Sequence, residues 1–179
     1  MSIAEKIKIY ISIIAISFIQ GLQYCVSPVL GQIQAHYPAK NVSTVQMLIT
    51  APALLAMVVA IVSGWLVVKV SKKKLLLSGS LVAGIMGFLP FLNDSFALLF
   101  ISRTLYGISL GLATALNTAV VADFFEGDER VTAMGIQAAS VGAGMVVVTT
   151  VGGMLGANGF RGAYFINIIG FISMAMIAL

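Results

Sequence analysis

Residues 64–74 read GWLVVKVSKKK, and this stretch decides the fold because a long apolar run ends there against four lysines within six positions. A second apolar run begins immediately afterwards, at Leu75. A basic turn this short between two apolar segments predicts a tight hairpin at a membrane surface. The excess of positive charge predicts that this surface is the cytoplasmic one.

The composition indicates an integral membrane protein. Of the 179 residues, 60% are hydrophobic and only 9% are charged, and the mean hydropathy is +1.07. A soluble domain carries about 25% charged residues. The net charge of +4 does not indicate a nucleic-acid partner here, because most basic residues flank apolar segments and serve as topology signals. The single cysteine, Cys25, lies within an apolar run, which excludes a disulfide framework and a cysteine metal cluster.

Six segments are long and apolar enough to cross a bilayer as helices, which need about 20 residues each. We place them near residues 7–31, 44–70, 75–92, 96–122, 131–157 and 163–179. With the N-terminus inside, seven basic residues lie in cytoplasmic segments and two, Lys40 and Arg161, lie in outer ones. This bias predicts a multi-pass protein of the plasma (inner) membrane with a cytoplasmic N-terminus.

Two spans carry polar side chains along one face. Arg103 lies inside the fourth span, where a charge is costly and usually functional. At about 100° per residue, Tyr106, Thr114 and Asn117 fall on the side of Arg103. The first span has a similar polar face, which lies at about the same depth in the membrane as Arg103 in the fourth span. These two stripes predict a water-accessible substrate cavity lined by Gln20, Gln23, Tyr24, Arg103, Tyr106, Thr114 and Asn117. The alternative is that Arg103 only binds backbone carbonyls or extends to the headgroup region.

Catalytic and metal-binding patterns are missing from the sequence. Each Asp and Glu lies at a span end or in a connection, and the only histidine, His36, falls in an outer connection and is expected to be solvated. A membrane hydrolase would need paired carboxylates, a Cys/His pair or an HExxH motif. We therefore expect no enzyme activity, no cofactor and no metal site.

The lysine hairpin has a partial copy later in the chain. Gly64, Leu66 and Lys72 correspond to Gly153, Leu155 and Arg161 at one offset of 89 residues, half the chain length. Three spans separate the copies, so they face opposite sides of the membrane. This arrangement predicts a 3+3 inverted repeat, which many secondary transporters contain.

The chain resembles the N-terminal six-helix half of a major facilitator superfamily transporter. Residues 64–74 are similar to the family's loop between helices two and three, although Val68 replaces its aspartate and Ser71 its second glycine. The resemblance implies a cytoplasmic gate formed by Gly64, Leu66, Lys69, Lys72, Lys73, Lys74 and Arg130. In the family, the aspartate helps to lock this gate in the outward-facing state.

Further matches extend the resemblance to residue 167. Arg103 with the following glycines resembles the family's fourth-helix pattern, and residues 152–167 resemble the fifth-to-sixth-helix stretch of drug-efflux-like members. Small residues allow membrane helices to approach closely. Four glycines are assigned to helix packing on these grounds: Gly107, Gly111, Gly152 and Gly153.

The resemblance implies secondary active transport by alternating access, with efflux of drug-like or amphipathic compounds. The partners would be the lipid bilayer, a small-molecule substrate and a second six-helix half, with protons as the coupling ion if transport is proton-driven. We expect residues 1–179 to be one half of a twelve-helix fold, whose other half belongs to the same protein. The alternatives are a half-size transporter that works as a homodimer, a transporter of anions, and a membrane scaffold without transport activity.

Overall fold

The computed structural model describes residues 3–92 and 94–178, and it is all-helical over these ranges. Six helices are long and apolar enough to span a membrane, as the sequence predicts. We name them in chain order: α1 (Ile3–His36), α2 (Val42–Lys69), α3 (Lys72–Leu92), α4 (Phe96–Phe124), α5 (Gly127–Leu155) and α6 (Phe160–Ala178). The protein is therefore a multi-pass membrane protein.

Two of these helices are irregular. Residues Leu22–Val29 of α1 and Phe160–Ile168 of α6 form 3₁₀ helix, while the rest of both spans is α-helical. Pro28 lies within the first of these segments and has no backbone N–H to donate. A 3₁₀ helix has about 3.0 residues per turn instead of 3.6, so side chains beyond it are rotated relative to an ideal α-helix.

The lysine hairpin is shorter than the sequence indicates. Helix α2 continues to Lys69 and α3 begins at Lys72, so only Val70 and Ser71 separate them. The N–H of Val70 donates to the carbonyl of Leu66 at 2.8 Å. Most of the predicted gate loop is therefore helix, since lysine stems can follow apolar surface while their charges stay in the headgroup region. Helix α1 extends beyond its predicted span at both ends, whereas α5 begins four residues before its predicted start and ends at Leu155, two residues before its predicted end.

The six helices pack in a pattern with internal symmetry. Helix α4 contacts α2 and α3, while α1 contacts α5 and α6, and α3 contacts α6. Exchanging each helix for the one three positions further along leaves these contacts unchanged, as a 3+3 repeat requires, although α5 also packs on α6 while α2 and α3 make no comparable contact within the described residues. Helices α1 and α4 lie at the centre, whereas α2 and α5 are the least buried. These two peripheral helices flank the cavity described below.

Glycines allow close contact at the central helices. A Cβ added to Gly107 or Gly111 would collide with the backbone of α2, at the carbonyls of Pro52 and Ala56. A Cβ on Gly152 of α5 would lie 3.2 Å from the carbonyl oxygen of Cys25 in α1. Backbone therefore meets backbone on both sides of the bundle, where lipid offers no hydrophobic force to hold helices together.

Candidate functional site

A cavity of about 340 Å³ lies between α1, α2, α4 and α5. Its volume is within the range of small-molecule sites, which are mostly apolar with a few placed polar groups. The wall has this composition, and the residues that form it are Gln20, Gln23, Tyr24, Ala53, Ala56, Met57, Ala60, Leu110, Thr114 and Val141.

Four of the seven predicted cavity residues form the polar part of this wall. Gln20 donates from Nε2 to the carbonyl of Ala113 at 3.4 Å, which joins α1 to α4. The hydroxyl of Thr114 donates to the carbonyl of Leu110 at 2.8 Å, so its oxygen lone pairs remain able to accept. Gln23 Oε1 is buried and has no hydrogen-bond partner among the described residues.

Arg103 lies behind the wall. Its side chain is fully buried, and it donates from an Nη to the carbonyl oxygen of Gln23 at 2.5 Å. A second Nη lies 3.7 Å from the Cys25 sulfur, and the guanidinium carbon lies 5.2 Å from the centre of the Tyr106 ring. Arg103 thus lies at the same depth as the 3₁₀ segment of α1. Its guanidinium contacts the backbone of Gln23 and the sulfur of Cys25 there and, among the described residues, no polar side chain of the cavity wall. Its assignment to the substrate cavity stays a prediction.

Tyr106 and Asn117 are also fully buried and connect α4 to α1. The Tyr106 hydroxyl donates to the carbonyl of Ile19 at 2.5 Å, and Asn117 Nδ2 donates to the hydroxyl of Ser17 at 3.0 Å. These bonds hold the two central helices in register. They position the helix faces that carry Gln20, Gln23 and Thr114.

Sequence reasoning missed the apolar part of the wall, which α2, α4 and α5 supply. Met57 and Val141 are apolar residues in apolar spans, so no contrast with their neighbours marks them. Ala53, Ala56 and Ala60 recur at helical spacing, a pattern typical of close helix packing in membranes. Ala56 makes such a contact with α4 through its carbonyl, and all three alanines also border the cavity.

At the lysine-bearing end, ion pairs tie the helix ends together. Lys72 binds the carboxylate of Asp123 at the end of α4, and Lys6 of α1 lies 2.5 Å from Glu129 of α5. Arg130, in the first turn of α5, donates to the carbonyls of Phe125 and Ala122. It therefore fixes the connection between α4 and α5.

The opposite end carries a polar cluster that the sequence did not indicate. His36 Nε2 lies 2.9 Å from Asp94 Oδ1, and the Tyr37 hydroxyl donates to the same oxygen at 2.7 Å. The expectation that His36 is only solvated is therefore wrong. The Tyr37 hydrogen bond, assisted by His36, lowers the pKa of Asp94. Burial and the neighbouring carboxylate raise the pKa of Tyr37 to about 12. This cluster joins the ends of α1 and α3.

Comparison with known proteins places the chain in a family. The family model of the Major Facilitator Superfamily matches residues 11–179. The chain is 24% identical over 135 residues to the quinolone resistance protein NorA of Staphylococcus aureus, covering 75% of this chain and 35% of that protein. It is 28% identical over 123 residues to multidrug resistance protein 2 of Bacillus subtilis, covering 69% of this chain and 31% of that protein.

The matched region thus spans about a third of the length of these curated relatives. The family match, by contrast, extends over nearly the whole of this chain and includes most of α1 and the other five membrane-spanning helices. The protein therefore belongs to the Major Facilitator Superfamily, whose members are membrane transporters and not enzymes.

Proposed function

We propose that the protein is a secondary active transporter that exports drug-like or amphipathic compounds by alternating access. The observation that carries the proposal is the 340 Å³ cavity, which combines an apolar wall with three polar side chains of α1 and one of α4. Relatives named for quinolone and multidrug resistance support this substrate class.

The six helices form the N-terminal half of a twelve-helix transporter in this proposal, so residues 1–179 are one domain. Two wall-forming helices, α2 and α5, are also the least buried of the six and expose broad apolar surfaces. A second six-helix half, packed on this side, would close the cavity. That half comes from the same protein or, in the alternative, from a second copy.

The position of Arg103 favours an amphipathic over an anionic substrate. An anion site needs a cation that can reach the ligand, whereas Arg103 is fully buried and binds the Gln23 carbonyl. The cavity wall itself carries only neutral side chains. Proton coupling, if the transporter uses it, would need a titratable group from the second half, which Arg103 could stabilise electrostatically.

The lysine-bearing end forms the cytoplasmic gate in this proposal, with the N-terminus on the same side. Val68 is 83% exposed at the position where the family has its aspartate. Asp123 and Glu129 pair with lysines at this end instead, within the same half. We infer a gate with lysine charge but without the family's usual carboxylate at that position.

A matched pair of threonine variants tests the cavity. Thr114 and Thr104 both lie on α4, and each hydroxyl donates to the carbonyl four residues earlier at 2.8 Å. Only Thr114 borders the cavity. We expect Thr114→Val to reduce efflux of a quinolone or an amphipathic dye about two- to tenfold, the value of one hydrogen bond, and Thr104→Val to leave it unchanged.

The measurement is dye or quinolone efflux from energised cells that express the full-length protein, normalised to the amount in the membrane. Equal effects of the two threonine variants would refute the cavity assignment. No efflux of any compound tested by the unmodified protein would favour the scaffold alternative.

Arg103→Ala tests the predicted role of the buried charge. We expect it to reduce flux at equal expression, because Arg103 holds the 3₁₀ segment that carries Gln23 and Tyr24. If flux per molecule stayed the same and only expression fell, Arg103 would be a folding residue alone.

A further inference from the structure

A second cavity, of about 450 Å³, opens at the lysine-bearing end between α1, α3, α4 and α6. We call it the basal cleft. Its floor is apolar and well buried: Ile16 is 0% exposed, and Leu76 and Ile177 are 5% exposed. The substrate cavity shares none of these residues. The basal cleft is thus a separate space, large enough for part of an acyl chain or a similar apolar group.

The rim of the basal cleft is positively charged. Lys8, Lys72 and Lys73 line it together with one carboxylate, Asp123, which gives a formal charge of +2 from three cations and one anion. Glu5 borders an adjoining cavity that shares Lys8 and reduces this value to +1. Lys73 donates to the carbonyl of Ala178 at 2.7 Å, which holds its ammonium group beside the cleft.

The lysines are not placed to stabilise their own helix. Lys72 and Lys73 lie in the first turn of α3, at the positive end of the helix dipole, where acidic side chains are favoured. An anion at the rim would interact favourably with the lysines and with this helix end. The cleft therefore combines an anion site with an apolar slot, at the ends of the membrane-spanning helices.

We propose that the basal cleft binds one anionic phospholipid of the surrounding membrane. Its phosphate lies against the rim lysines, and part of one acyl chain lies along Ile9 and Phe124, the apolar lining residues that remain accessible above the buried floor. Basic pockets between membrane helices bind anionic headgroups in this way. A zwitterionic lipid of the same chain length fits the floor but gains little from the rim. A free phosphate compound gains only from the rim.

The test measures lipid binding to the protein purified in a neutral detergent, by native mass spectrometry. The probes are phosphatidylglycerol, phosphatidylcholine with the same acyl chains, and glycerol phosphate. We expect phosphatidylglycerol to bind at least tenfold more tightly than either of the others, and its preference over phosphatidylcholine to fall with added salt.

Two double variants separate the cleft from general surface charge. Lys8→Gln with Lys73→Gln removes two rim charges, whereas Lys69→Gln with Lys74→Gln removes two charges at the same end that do not border the cleft. At about fivefold per lysine, the rim pair should weaken phosphatidylglycerol binding about 25-fold at low salt. The control pair should change it less than threefold.

A third variant tests the apolar slot. Ser12 borders the cleft, and its hydroxyl donates to its own helix, at the carbonyl of Lys8. Ser12→Phe should fill the slot and weaken phosphatidylglycerol binding without lowering the melting temperature. The proposal is overturned if both lysine pairs weaken binding equally, if phosphatidylcholine binds as tightly, or if glycerol phosphate binds as tightly as the lipid.

Discussion

The contact between α2 and α4 yields a prediction that depends on backbone geometry alone. A Cβ on Gly111 would lie 2.5 Å from the carbonyl oxygen of Ala56 and 2.8 Å from Cβ of Val59. Ordinary contacts begin at 3.4 Å, so the helices would have to separate by 0.9 Å, which is 3.4 minus 2.5. Gly107, one turn earlier, meets the backbone of Pro52 in the same way. Neither obstacle is a flexible side chain that can rotate aside.

The expected cost follows from two opposing effects. Overpacking costs about 1–3 kcal/mol per site, while replacing glycine by alanine in a helix returns about 1 kcal/mol. The double variant Gly107→Ala with Gly111→Ala should therefore lose roughly 2 kcal/mol of stability. For a chain of this size, that loss lowers the melting temperature by about 4–8 °C.

The lone cysteine supplies the assay. Cys25 is fully buried, so a thiol-reactive fluorophore reports its exposure when the purified protein is heated. The control is Gly31→Ala with Gly64→Ala, since a Cβ at either position has no atom within 4 Å. We expect the control to melt at the same or a higher temperature. A tested pair that melts no lower than the control pair would refute the proposed backbone contact.

Two further predictions concern single side chains. Tyr106→Phe should lower stability by about 0.5–1.5 kcal/mol, because it removes the hydrogen bond from α4 to the carbonyl of Ile19 in α1. The same thermal assay measures this loss, and an unchanged melting temperature would contradict the bond. Asp94 has a lowered pKa, so its contribution to stability is present above its ordinary value of 3.8 and is lost as the pH falls through the lowered value. Asp94→Asn should remove this part of the acid dependence. The measurement is the difference in melting temperature between about pH 6 and pH 3. An identical pH profile in both proteins would show that the contacts of Asp94 with Tyr37 and His36 do not contribute to stability.

The sequence predicted part of the candidate cavity and could not predict the rest, for a geometric reason. Gln20, Gln23, Tyr24 and Thr114 of the polar stripes border one cavity, and their role in a substrate site stays a prediction. The angular argument assumed 100° per residue, but Leu22–Val29 is 3₁₀ helix, where each residue turns about 120°. Side chains in this segment therefore point in directions that an ideal α-helix does not give.

The polar side chains of α4 show the same limit. Arg103, Tyr106, Thr114 and Asn117 share one broad face, yet only Thr114 borders the cavity. The other three are covered by α1, which receives their hydrogen bonds. A periodic pattern shows which residues share a face, but it does not show which neighbouring helix covers that face. The apolar wall residues of α2 and α5 remained unpredicted for the same reason.

The sequence by itself determined that this is an all-helical membrane protein with six spans. Lipid offers no hydrogen bonds, so each span must pair its backbone groups within its own helix. Such a span is visible in the sequence as a run of about 20 mostly apolar residues. Residues 64–74 marked a tight turn for the same local reason. The tertiary structure alone decided which polar groups face a cavity and which bind a neighbouring helix, and it brought Lys8, Lys73 and Ile177 to one cleft. These outcomes depend on contacts between segments far apart in the chain, whose packing follows from small residues and helix irregularities rather than from hydropathy.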